Sequence, residues 1–161
     1  MLALTDSCSL ASPSTRFASI LAGGRTKRSA IVWDVRDASA YQRGHITGAV
    51  NVGDALRVLR NPTTEDFIET ARIEAILGGG GIDPAREIVV YSTRGHAGAH
   101  FAHFAIRYFG GQNVSVYHDG IDGWADDKRP LETSETRLRQ CRSSLRRIRP
   151  LPSPRPREFG R

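Results

Sequence analysis

A chain of 161 residues suits one domain with a buried core, and a 39% apolar fraction with no run of membrane length excludes a helical membrane protein. The formal charge of +6 is confined to one end, since residues 134–161 hold nine arginines and two glutamates and leave 14 basic against 15 acidic residues in 1–133. The only cysteines, Cys8 and Cys141, exclude a disulfide scaffold and a structural zinc site and fit a reducing compartment, here expected to be the cytoplasm.

Residues 1–13 read as a ragged terminus. The first 30 residues are rich in Ser and carry Arg16, Arg25, Lys27 and Arg28, a faint likeness to an organelle transit peptide. A short helix is expected over 15–22, capped by Ser14 or Thr15 and stopped by Gly23-Gly24. The nearly continuous apolar run Ala30-Ile31-Val32-Trp33-Asp34-Val35 suits a strand buried on both faces, with Asp34 and Arg36 at its carboxyl end. Residues 36–45 read as a polar connection, and 46–52 as a second strand region broken by Gly48. A helix is expected over 63–77, with Thr63 or Thr64 as cap, Glu65 and Asp66 in its first turn, and Phe67, Ile68, Ala71, Ile73, Ile76 and Leu77 at helical spacing. Gly78-Gly79-Gly80-Gly81 then reads as a linker, because no strand precedes it and no Gly-Lys-Ser/Thr follows.

The β-branched run Glu87-Ile88-Val89-Val90-Tyr91 is the next strand, and a helix from Ala97 to Phe109 starts one short loop later. Such a strand–loop–helix junction aims backbone N–H groups and the positive end of the helix dipole at one point. Ser92, Thr93, Arg94, Gly95, His96 and Ala97 are therefore the candidate anion-binding loop. On the helix, His96, His100, His103 and Arg107 share one stripe. No acid or cysteine completes a ligand shell, so a solvated face is expected and no metal. Asn113–Tyr117 is another strand, His118–Trp124 turns into a short helix with Trp124 as a packing anchor, and Leu131-Glu132-Thr133 closes the patterned region. The Arg-rich end, residues 134–161, has one aromatic, Phe159, and prolines at 150, 152, 154 and 156. It reads as a disordered tail, and nucleic acid is not expected as a partner.

Alternating strands and helices with short connections give a parallel sheet covered on both faces, with ligands at the carboxyl ends of the strands. Asp34, Arg36, Ser92 and Tyr117-His118 all fall on that edge.

Taken together, Asp34-Val35-Arg36, Tyr41, Gly44-His45-Ile46, Gly48-Ala49, Asn51, Ile88-Val89-Val90-Tyr91, Gly95, Asn113-Val114, Tyr117, Gly120 and Gly123-Trp124 resemble the rhodanese domain, the sulfurtransferase module, over residues 14–133. The resemblance implies a doubly wound α/β domain with a five-stranded parallel sheet flanked by helices. It implies no cofactor. In active members a loop of the form Cys-x-x-Gly-x-Arg or Cys-x-x-Gly-x-Thr takes a sulfane sulfur from thiosulfate or 3-mercaptopyruvate onto its cysteine and passes it on from a persulfide. This chain has Ser92 at the cysteine position and Ala97 at the last one, with Gly95 kept. A serine hydroxyl ionises far less readily than a thiol and needs an adjacent base, for which His96 is the nearest candidate; an alkoxide holds no persulfide.

Asp34, Arg36 and His45 are expected to tie a strand end to a turn, with no part in chemistry. The residues from Gly98-Ala99 to Val116 look like the non-catalytic amino-terminal half of tandem sulfurtransferases. The expectation is therefore a catalytically silent domain that takes a small anion such as thiosulfate or sulfate in the 92–97 loop, or a protein partner or second rhodanese domain. The alternative is sulfurtransfer with a thiol supplied by a partner domain, a subunit or another cysteine. A phosphatase of the Cys-x5-Arg type is excluded, since position 92 is Ser and position 98 is Gly.

Overall fold

The computed structural model describes residues 30–138. The expected ragged start, the helix over 15–22 and the tail from 139 onward lie outside them. β1 (Ile31–Asp34) and β4 (Ile88–Tyr91) are buried along their whole length, as their largely apolar runs require, with Asp34 the one charged residue among them. They pair in parallel with Trp33 beside Val90, flanked by β3 (Val50–Asn51) on one side and β5 (Val114–Val116) on the other. The order β3-β1-β4-β5 reverses direction at β1, so the crevice between the carboxyl ends of β1 and β4 is the switch point where doubly wound sheets bind ligands. The fold class is the expected one, a parallel sheet flanked by helices; four strands of it lie among the described residues. The fragments around Gly48 part company, because its left-handed backbone (φ 76°) turns the chain between them. β2 (His45–Ile46) leaves the main sheet and pairs antiparallel with β6 (Leu131–Glu132), and Glu132 Oε2 accepts the Gly48 N–H at 3.1 Å.

Three expectations are corrected. Residues 36–45 contain a helix, α1 (Ala38–Arg43), started by Asp37, whose carboxylate accepts from the Ala40 N–H. Six residues are too few to display a helical period, so only the cap announced it. The helix expected from residue 63 begins later, as α3 (Thr70–Gly79), after a short α2 (Ala55–Val58). Residues 61–67 form a tight turn instead: the Asn61 side chain accepts from Thr63 and Thr64 N–H, Glu65 is left-handed (φ 62°), and Arg60 bridges to Phe67. Its gain is the placing of Phe67 among Phe101, Tyr108 and Phe109, with ring centres 5.1–5.6 Å away. The glycine run is not all linker, since Gly78 and Gly79 complete α3 and the chain turns at Gly81 (φ 73°).

α4 (Ala97–Tyr108) and α5 (Gly120–Asp126) match expectation closely. Strand alternation sorts the core into two layers. Ile31, Trp33, Ile88 and Val90 face α2, α3 and α4, where Leu59, Ile73, Leu77, Ala102 and Ile106 are fully buried. Val32, Val89 and Tyr91 face the other side, packing with Tyr41, Ile46, Ile121 and Trp124. Trp124 also donates to the Pro130 carbonyl at 2.9 Å, as a packing anchor does. Beyond residue 133, Thr136 N–H donates to the Tyr41 hydroxyl at 3.1 Å and Leu138 packs against the first layer.

Candidate functional site

The loop leaves β4 at Tyr91 and enters α4 at Ala97. Ser92 is only 2% exposed, because its carbonyl accepts the Ile121 N–H of α5 at 3.0 Å and Gly120 presses against it. Gly120 is left-handed (φ 58°), and a Cβ there would stand 2.3 Å from the Ser92 carbonyl oxygen. Two carboxylates of α5 hold the next turn: Asp122 accepts the Arg94 N–H at 2.7 Å and Asp126 accepts from the Arg94 guanidinium at 2.6 Å. Arg94 thus points onto α5. The hydrogen bond and charge of Asp126 hold its pKa above the ordinary value, and its charge is answered there.

His96 is the N-cap of α4. Its Nδ1 accepts the Gly98 N–H at 3.1 Å and lies 3.4 Å from Ser92 Oγ. Accepting from Gly98 requires a lone pair on Nδ1, so the neutral ring carries its proton on Nε2. His96 therefore does approach the serine, but with a nitrogen already engaged and at a distance long for an O–H···N bond. The N–H of His96 donates to Thr93 O at 3.2 Å. Within the loop, the N–H groups of Thr93, Gly95 and Ala97 have no hydrogen-bond partner among the described residues. The expected cradle is thus divided between the fold's own acceptors and donors left over.

Beside the loop lies a cleft of about 290 Å³, lined chiefly by Arg36, Asp37, Arg43, Asp54, Ser92 and His96. Two arginines face two aspartates there. Asp37 and Asp54 are occupied as the N-caps of α1 and α2, while Arg43 makes one hydrogen bond among the described residues, to Ser39 Oγ at 3.2 Å. The donors that line it, Ser92, Thr93 and Arg43, suit a small oxyanion more than a cation. Among the described residues no three His, Cys, Asp or Glu side chains are grouped to hold a metal ion, and no helix is long and apolar enough to cross a membrane.

Asp34 and Arg36 form the floor. Arg36 Nε and Nη2 grip the buried Asp34 carboxylate at 3.0 and 2.6 Å, and Nη2 also donates to Gly44 O at 2.8 Å. Burial works against the Arg36 charge, but the hydrogen bonds and charge of Asp34 outweigh it and raise its pKa. The Tyr91 hydroxyl, which sequence reading did not single out, donates to Asp34 Oδ2 at 2.7 Å and accepts the Ile46 N–H at 3.0 Å. Burial pushes that phenol far above its ordinary range, with Asp34 adding to the effect, so it stays a neutral donor. Its position at the end of a wholly apolar run was the available signal.

Asn51 completes the floor by bonding the carbonyls of Asp34 and Arg36 at 2.9 and 2.7 Å. His45 lies apart from the loop, on the α1 side of the sheet. It stacks on Tyr41 at 3.8 Å, and Nδ1 meets the Tyr41 carbonyl at 3.0 Å. That carbonyl can only accept, so Nδ1 donates and the buried Nε2 is left as an acceptor with no partner among the described residues. Of the candidates named from sequence, Ser92, Thr93, His96 and Arg36 share the cleft; Asp34 lies under it, and His45 and Trp124 serve packing.

Comparison with known proteins agrees with this architecture. A protein of Mycolicibacterium smegmatis named "Putative thiosulfate sulfurtransferase" is 30% identical over 99 residues, covering 62% of this chain and 35% of that protein. The thiosulfate sulfurtransferase of Corynebacterium glutamicum is 29% identical over 99 residues, covering 62% and 33%. The chain thus matches about a third of the length of these curated relatives. Among solved structures, the anaerobic ergothioneine biosynthesis enzyme of Chlorobium limicola shares the fold with a TM-score of 0.69 at 21% identity, over 83% of this chain and 36% of that one. The family profile described as the rhodanese-like domain matches residues 16–127, and the chain belongs to that family.

Proposed function

We propose that this domain is a catalytically silent member of the sulfurtransferase family, which binds a small oxyanion or a protein partner through the 92–97 loop. The observation that carries the reading is Ser92. It heads the loop where active relatives of the family carry the cysteine that accepts sulfur, and a hydroxyl oxygen neither forms a thiolate-like nucleophile at neutral pH nor holds a persulfide. His96 does not rescue it, because its Nδ1 lone pair already takes the Gly98 N–H. Support for binding comes from the leftover N–H groups at the start of a 12-residue helix and from the adjoining cleft.

A second reading is that the domain assists sulfurtransfer with a thiol supplied from elsewhere. It is favoured by one fact: the match covers only about a third of relatives named for thiosulfate sulfurtransfer. Purified chain incubated with thiosulfate and cyanide decides between them. The expected result is no thiocyanate above the uncatalysed rate. Turnover that survives Ser92→Ala would overturn the silent reading, and loss of that turnover on removing Cys8 or Cys141 would assign the thiol.

A further inference from the structure

The histidine stripe of α4 fails as a metal set when considered on one helix, but the fold supplies a ligand from another element. β5 lies beside β4, so the residues just past its end meet the first turn of the helix that follows β4. This brings His118 against His100, with ring centres 5.1 Å apart and planes inclined by 46°. Both side chains are exposed, and neither ring makes a hydrogen bond among the described residues.

The separation is compatible with one shared ion. A metal ion bound at about 2.0–2.1 Å from an imidazole nitrogen lies about 3.2 Å from the ring centre, so two rings on one ion are about 4.5 Å apart at a right angle and about 5.2 Å apart at the tetrahedral angle. The 5.1 Å of this pair falls inside that interval. Ring contacts that hold no ion reach the same spacing in this molecule, as Phe67 and Tyr108 do at 5.1 Å, so what distinguishes this pair is that both rings are exposed imidazoles brought together from separate elements. His103, the next histidine on the stripe, is half-buried and feels the positive charge of Arg107, which disfavours a cation there.

We propose that His100 and His118 form a two-histidine surface site for a borderline divalent transition-metal ion, such as Ni²⁺, Cu²⁺ or Zn²⁺, with water filling the remaining positions. Imidazole ligands select this class over Mg²⁺ and Ca²⁺, and Cu²⁺ binds more tightly than Ni²⁺. The site is separate from the 92–97 loop and does not depend on its function.

Calorimetric titration of the full chain with Ni²⁺ alone tests the pair, with ring-proton resonances read in parallel. Both residues are exposed, so His100→Ala and His118→Ala leave the fold intact. Each is expected to weaken Ni²⁺ binding at least about tenfold, because the second ligand otherwise acts at high effective concentration. The double substitution adds little beyond either single one, and His103→Ala leaves the affinity at the wild-type value. Ni²⁺ binding that persists at full strength in either single variant, as an ion held by Cys8 or Cys141 would do, overturns the proposal. So does an equal loss in His103→Ala, which would return the site to the helix stripe, or no Ni²⁺ binding by the wild type.

Discussion

Substituting Gly120 by alanine tests how firmly α5 holds the loop. The new methyl carbon would lie 2.3 Å from Ser92 O, 2.9 Å from the Thr93 carbonyl carbon and 3.0 Å from Arg94 N, all backbone atoms that cannot swing aside. Two costs add. A left-handed backbone at a non-glycine residue costs about 1–2 kcal/mol, and forcing an extra carbon into a filled site costs about 1–3 kcal/mol, so the loss is about 2–5 kcal/mol. Gly48→Ala separates the two, for Gly48 is also left-handed (φ 76°) yet has nothing within 4 Å of its virtual Cβ. It is expected to cost only the first amount. Urea unfolding followed by the fluorescence of Trp33 and Trp124, both buried, measures each variant. Equal losses for Gly120→Ala and Gly48→Ala would refute the reasoning, since the close approach of α5 to the loop would then contribute nothing.

Tyr91→Phe strips the Ile46 N–H and the Asp34 carboxylate of a buried partner, and should cost about 1–3 kcal/mol in the same unfolding assay; an unchanged midpoint would count against the floor described above. Ser92→Cys should give a thiol whose alkylation, followed at position 92 by mass spectrometry, has a pH midpoint below the about 8.5 of a free thiol, because the α4 dipole and the unpaired N–H groups favour the thiolate; a midpoint at the free-thiol value would mean that the donors do not converge. The Asp37 carboxyl is held below its ordinary value by its hydrogen bond from Ser39 and by the Ala40 N–H. Its contribution is present above the unfolded value of 3.8 and is lost as pH falls through the lower folded one. Wild type should therefore lose more stability than Asp37→Asn between pH 4 and pH 2, a small difference for so exposed a group; parallel acid curves would refute it.

What sequence could reveal follows from the length of its signals. The runs of β1 and β4 are apolar up to their last residues, Asp34 and Tyr91, and α4 repeats its stripe over three turns, so both were legible. α1, with six residues, and the turn at 61–67 depend on single side-chain caps, Asp37 and Asn61, which compete poorly with a propensity sum over longer windows. Ser92 and its loop were found because the junction of strand and helix is local. The carboxylates that grip Arg94 come from 28 and 32 residues away, and the partner of His100 lies across β5, so pairing had to be known first.

The strand pair at the centre of the sheet also has consequences for the order of assembly. β1 and β4 are neighbours in space, yet Asp34 and Tyr91, joined by a hydrogen bond, stand 57 residues apart. Closing such a loop costs about 3.6 kcal/mol from chain length alone, before any of the burial that the pairing brings. Contacts of this span slow folding. Asp34, Tyr91 and Ser92 therefore have no fixed relation in a chain that has formed only its local helices and turns. The cleft therefore depends on a long-range pairing: Arg36, just past β1, and Ser92, just past β4, share it only where those two strands lie side by side.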